Sequence, residues 1–153
     1  METRLFWAFS LLLSGVYVGL HAQTTRVVYL SGTDKDHTVS WGFYINTGQR
    51  SGSCNQIPVP SNWELQGFGT YNYFQDTRNP DEQGLYKYHF STDSAWSRKK
   101  AFIVFEGAMT DTKVMINGLS AGPIHQGGYY RFKYDITKLL KPGSDLLHWP
   151  TFY

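Results

Sequence analysis

From Arg26 to Tyr134 the chain alternates short runs of apolar and polar positions with turn residues, and the dominant period is two. Thr38–Ile45, "TVSWGFYI", places Val39, Trp41, Phe43 and Ile45 on one face. Leu85–Phe90 does the same with Tyr86, Tyr88 and Phe90, and Thr112–Ile116 and Tyr130–Tyr134 alternate as well. Arg26–Leu30 is β-branched and aromatic, so a strand is expected there too. Ala101–Phe105 is a continuous apolar run, which predicts a strand buried on both faces. Asn117-Gly118 follows the Thr112–Ile116 run, and both residue types accept positive φ, so a two-residue hairpin turn is expected. Helical patterns are weak. Thr92–Trp96 predicts one turn capped by Thr92 or Asp93, and Ile136–Leu140 predicts another, closed by Pro142-Gly143. Many short strands with a turn every ten or so residues mean an all-β, antiparallel sandwich. Gln66–Gln83 is the longest piece without strand character, and long ordered loops on a sandwich usually carry function.

Composition narrows the partners. The chain has 153 residues, enough for one core, and a formal net charge of +2. Nothing in that balance calls for nucleic acid. Cys54 is the only cysteine, so no disulfide can form within the chain. Residues 1–22 read as a secretory signal peptide: Arg4, then the apolar run "LFWAFSLLLSGVYVGL", then Ala22 before Gln23. The alternative is a membrane anchor, for which the run is short against the roughly 20 apolar residues of a spanning helix. The expected product is secreted or periplasmic, without a membrane partner once the signal is removed.

Side chains that could do chemistry are few. Asp34, Asp36 and His37 sit together in "GTDKDH"; the set reads as a polar turn rather than a metal site, and a calcium loop would need more oxygens and its glycine. Asp81-Glu82 after Pro80 reads as a solvated turn. Glu106 follows the buried run "FIVF", so a buried carboxylate with structural partners is expected, not half of a glycosidase pair. No nucleophile signature surrounds Cys54. His125 in "GPIHQGGYY" reads equally as a ligand to a substrate or as a tie between loop and sheet. No phosphate-cradling loop or zinc spacing is found, so no cofactor is expected. What remains is "IPVPSNWELQGFGTYNY", with four aromatic rings and three amides against one charge. Sugars need that pair: C–H faces lie on aromatic rings, and hydroxyls take neutral donors and acceptors. The competing reading is that Trp63 and its neighbours plug the end of a core.

Val59–Glu64, "VPSNWE", resembles a segment of the N-terminal domain of glycoside hydrolase family 2, which includes β-galactosidases, β-glucuronidases and β-mannosidases. Further matches follow in the family's order. They are Trp41 and Phe43; Gly84-Leu85-Tyr86 through Phe90; Phe105-Glu106-Gly107; Val114–Gly118; and Gly127-Gly128-Tyr129 with Phe132, Asp135, Ile136 and Thr137. The resemblance implies a jelly-roll sandwich of the galactose-binding-like type over residues 23–146, with Trp63, Glu106, Asn117 and Asp135 in structural roles. It also implies that catalysis belongs to a later (β/α)8 barrel, so this chain is expected to lack the catalytic glutamates and to need the remaining hydrolase domains as partners. In β-galactosidases the loop after the matched tryptophan lends an amide to the sugar; counting from Trp63 places Gln75 there, with Asn72 and Asp76 beside it. Residues 147–153 depart from the family's final strand pattern. Pro150 is expected to interrupt a strand, and the last sandwich strands are expected to be missing. The implied function is a carbohydrate-contacting accessory domain, separated from its barrel. The rivals are a free-standing sugar-binding module and a structural remnant without affinity.

Overall fold

The computed structural model describes residues 24–70, 82–108 and 111–152. The expected signal, residues 1–22, lies outside them, as do Asn72, Gln75 and Asp76. The strands are β1 Val39–Ile45, β2 Asn55–Val59, β3 Gln83–Thr92, β4 Phe102–Phe105, β5 Met115–Ile116, β6 Leu119–Ser120, β7 Phe132–Asp135 and β8 Gly143–Phe152. They form a six-stranded sheet in the order β2-β1-β3-β8-β5-β6 and a two-stranded sheet, β4-β7, with every pairing antiparallel. This is the all-β jelly-roll sandwich expected from the alternation.

The period-two faces meet in one core. Trp41, Phe43 and Ile45 from β1, Ile57 and Val59 from β2, and Tyr86 from β3 pack with Ile103 and Phe105 from β4. Each such side chain contributes roughly 1.5–3 kcal/mol by leaving water. Trp63 lies across the strand at Gly84, where any Cβ would fall 2.2 Å from its ring; only glycine lets the indole sit on β3. The Asn117-Gly118 turn forms as expected: φ is 53° and 81°, and Ile116 pairs with Leu119 across it. Asp93 caps the short 3-10 turn Ser94–Arg98 by accepting from the Ala95 N–H. A hydrogen bond from Leu139 N to Ile136 O makes the second expected turn.

Four expectations are corrected. Arg26–Leu30 is not a strand; Val27 and Tyr29 are exposed, and the segment is held where Trp41 Nε1 donates to Leu30 O at 3.1 Å. β4 is buried on one face only: Ile103 and Phe105 turn into the core between the sheets, while the face with Phe102 and Val104 is left exposed. That alternation continues past Phe105, so Glu106 is exposed rather than buried and pairs with Arg131 Nε at 3.3 Å. Pro150 does not interrupt β8, which runs on through Phe152 and pairs with β3 over its full length, Pro150 opposite Leu85. β5 reaches only Leu147 and His148, so β8 beyond them has β3 as its paired neighbour. A proline fits a strand there, where its missing N–H need not enter a ladder. The sheet therefore includes residues 147–152.

Candidate functional site

The segment singled out by its rings and amides starts from a rigid base. Ser61 Oγ donates to Pro58 O, the Val59–Pro60 peptide is cis, and the 3-10 turn Glu64–Gln66 closes with Gly67 N donating to Glu64 O at 3.0 Å. Trp63 and Phe68 are both buried. Phe43 lies between them, 5.8 Å from the Trp63 ring and 4.9 Å from the Phe68 ring, with Tyr86 at 4.7 Å. The Arg50 guanidinium sits 4.1 Å over Phe68. So Trp63 and Phe68 belong to the core end rather than to an open platform.

Residues 71–81 leave from this base, and both flanks are pinned. Gly69 exchanges backbone hydrogen bonds with Gln49 at 2.9 and 3.0 Å. Thr70 N donates to Glu82 Oε1 at 2.9 Å, across the ends of the segment. Gln83 N donates to Asn46 Oδ1 at 2.7 Å. Glu82 is thus a buried clamp, 4% exposed, and not the solvated turn expected. The inward parity of Gly84 and Tyr86 in β3 extends back to it, which is the sequence signal that marks it. Burial pushes its carboxyl up from the ordinary value; the Thr70 N–H counters this, and the nearby Glu64 charge adds to the rise.

The other singled-out residues fall elsewhere. His125 pairs through its backbone with Thr112, at 2.9 and 2.8 Å. Its ring stacks on Phe132 with 3.8 Å between centroids, and Nε2 lies 2.9 Å from Gly127 O. Those contacts are those of a tie between loop and sheet. Asp135 accepts from Thr137 N at 3.0 Å and from Thr137 Oγ1 at 2.6 Å, bonds that hold its carboxyl below the usual value. Thr137 Oγ1 in turn accepts from Ala101 N at 2.9 Å, so the Asp-Ile-Thr run fastens β7 to the start of β4. Asn117 Nδ2 donates to Asp145 Oδ1 at 2.7 Å and to Leu139 O at 2.9 Å, while its Oδ1 accepts from Leu146 N at 3.0 Å. Asp145 is a hub that sequence reading passed over, although inward Leu147 marks it by parity. Asp34 accepts from Asp36 N and His37 N, each at 2.9 Å, which makes "GTDKDH" the expected polar turn.

Comparison with known proteins gives consistent matches. The family model for "Glycosyl hydrolases family 2, sugar binding domain" matches residues 49–149. A β-galactosidase of Bacteroides ovatus is 28% identical over 116 residues, which cover 69% of this chain and 14% of that protein. A β-glucuronidase of Bacteroides fragilis is 29% identical over 129 residues, covering 83% of this chain and 16% of that protein. A β-galactosidase of Thermoanaerobacter pseudethanolicus is 44% identical over 59 residues, 39% of this chain and 8% of the relative. Among solved structures, a β-glycosidase from Bacteroides vulgatus superposes with a TM-score of 0.56 at 26% identity, over 72% of this chain and 16% of its own. The chain therefore spans a small part, 8–16%, of the length of these relatives.

Proposed function

Because the chain belongs to the sugar-binding domain family of family 2 glycosyl hydrolases, we propose that it is the carbohydrate-contacting accessory domain of a secreted, β-galactosidase-like enzyme. It acts together with catalytic domains outside these residues. The observation that carries the reading is the clamp at the base of residues 71–81: Thr70 and Glu82 are held together at 2.9 Å, on an end packed by Trp63 and Phe68. From this fixed base the segment carries Asn72, Gln75 and Asp76, which are assigned to a sugar held by a neighbouring domain. The amide of Gln75 is the group assigned to a sugar hydroxyl. Residues 1–22 direct export, and the mature chain begins near Gln23. N-terminal sequencing of exported protein that finds Met1 intact overturns the export assignment.

The deciding experiment joins this chain to the remaining domains of a family 2 relative and measures hydrolysis of an aryl β-galactoside. Gln75→Ala should lower kcat/KM by about tenfold or more with the melting temperature unchanged. An unchanged kcat/KM overturns the assignment of Gln75, and a chimera that folds but is inactive overturns the accessory role. The chain alone should turn over no aryl β-galactoside, β-glucuronide or β-mannoside. Sustained hydrolysis abolished by Glu64→Gln or Glu106→Gln would place a catalytic site in this domain instead.

A further inference from the structure

On the face of the six-stranded sheet turned away from the core, one row of residues crosses all six strands. It runs Gln56, Gly42, Lys87, His148, Met115, Ser120, each paired with the next. Gly42 interrupts the row with a missing side chain, and an open groove of about 400 Å³ lies there, lined by Tyr44, Gln56, Leu85 and Lys87 among others. That volume falls within the range of small-molecule sites, roughly 300–1,000 Å³. Packing does not demand the glycine. A Cβ at Gly42 would meet only Lys87 atoms, at 3.6 Å, an ordinary contact. What the glycine supplies is the depression itself, with an aromatic ring along it and an amide and an ammonium at its sides.

The charge on this face has one sign. β1, β2 and β3 contain no Asp or Glu. The acid of β8, Asp145, is fully buried, on the parity of core residue Leu147. Lys87 is exposed, His89 lies two residues along the same strand, and His148 is its partner on β8. The His148 imidazole is held below its ordinary value, by burial first and then by the charges of Lys87 and His89. Lys87 is therefore the cation of this face, and among the described residues of these strands no exposed acidic side chain offsets it.

We propose that this groove binds a sugar bearing a carboxylate, a uronic-acid residue of a glycan. Lys87 pairs with the carboxylate, Gln56 hydrogen-bonds the hydroxyls, and the Tyr44 ring lies against the C–H face. Gln56 Oε1 already accepts from Ser40 Oγ at 3.0 Å, so its bond to a hydroxyl comes from Nε2. A neutral sugar would leave the Lys87 charge without a partner. A phosphate group would be better served by the planar fork of an arginine, and among the described residues no arginine lines the groove. His148 is a reporter of the charge rather than a ligand, because its Nε2 is shielded from solvent. The site is distinct from residues 71–81, so the two assignments stand or fall separately.

The test is an NMR titration of the full chain with methyl β-D-glucuronide, with methyl β-D-galactoside as the neutral control and sodium acetate as a bare carboxylate. The uronide should bind about tenfold or more tighter than the galactoside, and the His148 pKa should rise as it saturates, since an anion beside Lys87 favours the charged imidazole. Lys87→Gln should remove the preference, Lys87→Arg should keep it, and Gly42→Leu, which fills the groove, should abolish binding of both sugars. Equal affinities, or uronide binding that survives Gly42→Leu, overturn the proposal. So does an unmoved His148 pKa at saturation, or acetate moving His148 as far as the uronide does. If Gly42→Leu does not fold, the Lys87 pair and the acetate control still decide.

Discussion

Two carboxylates are buried at different places in this sandwich, and the difference between them separates its structural part from its working end. Asp145 is 0% exposed and accepts three hydrogen bonds, from Thr92 Oγ1 at 2.7 Å, Asn117 Nδ2 at 2.7 Å and Lys141 N at 2.8 Å. The donors come from the end of β3, from the β5–β6 turn and from the connection into β8, so one side chain fastens three segments. Glu82 is 4% exposed and draws its hydrogen bonds from Thr70. Burial is not fully offset there, and the carboxyl rises above its ordinary value. A buried charge with its bonds made specifies one arrangement; one that is partly compensated is tolerated where position serves another purpose. The first describes the knot beside β8, the second the base of residues 71–81.

The sharpest way to break the comparison is Asp145→Ala. It takes the acceptor from the Lys141 N–H and from one Asn117 amide hydrogen, and leaves Thr92 Oγ1 only its 3.2 Å bond to Lys141 O; each unsatisfied buried group costs roughly 1–3 kcal/mol. A loss of about 3–5 kcal/mol is expected, a large share of the roughly 5–15 kcal/mol that holds a domain. Urea melts should show the midpoint collapse, and a loss under about 1 kcal/mol would mean the hub is not structural. Trp63→Ala should cost a similar or slightly smaller amount, about 3–4 kcal/mol, by opening a cavity over Gly84. It should also loosen the base of residues 71–81, seen as faster amide exchange at Thr70.

Glu82→Gln tests the other side of the contrast. The raised carboxyl means the folded protein holds its proton more tightly than the unfolded chain does. This group therefore makes stability fall as pH climbs from the ordinary glutamate value of 4.5 through the folded one, with the loss complete above that. Glutamine keeps an acceptor for Thr70 and cannot ionise, so the variant should melt higher than wild type at pH 7, and the advantage should fade towards pH 4. A variant that melts lower than wild type at pH 7 would show that the charge at Glu82 is needed. The smallest effect belongs to Glu106→Gln. Its exposed pair with Arg131 spans 3.3 Å, and such pairs contribute about 0–1 kcal/mol, so the melting temperature should scarcely move.

Alternation along the chain by itself determined the sandwich. The inward sets Trp41-Phe43-Ile45 and Ile103-Phe105 follow from a period of two, and the Asn117-Gly118 turn follows from residue types that accept positive φ. The ordered motifs from Trp41 to Thr137 carried the family. What residue types could not supply was which neighbours a strand has. Ala101–Phe105 is as apolar as a doubly buried strand, yet the core packs against one of its faces, so Phe102 and Val104 face outward and Glu106 with them. Pro150 looks like a strand breaker, yet it lies where β8 is paired with β3 alone. Asp145 and Glu82 carry the same inward parity as the core, but whether a buried carboxylate is bonded depends on donors 4 to 53 residues away in the chain. Periodicity records the face a side chain takes, because that is set by the local backbone. Partners, satisfaction and charge balance depend on which segments meet, and only the closed sandwich decides that.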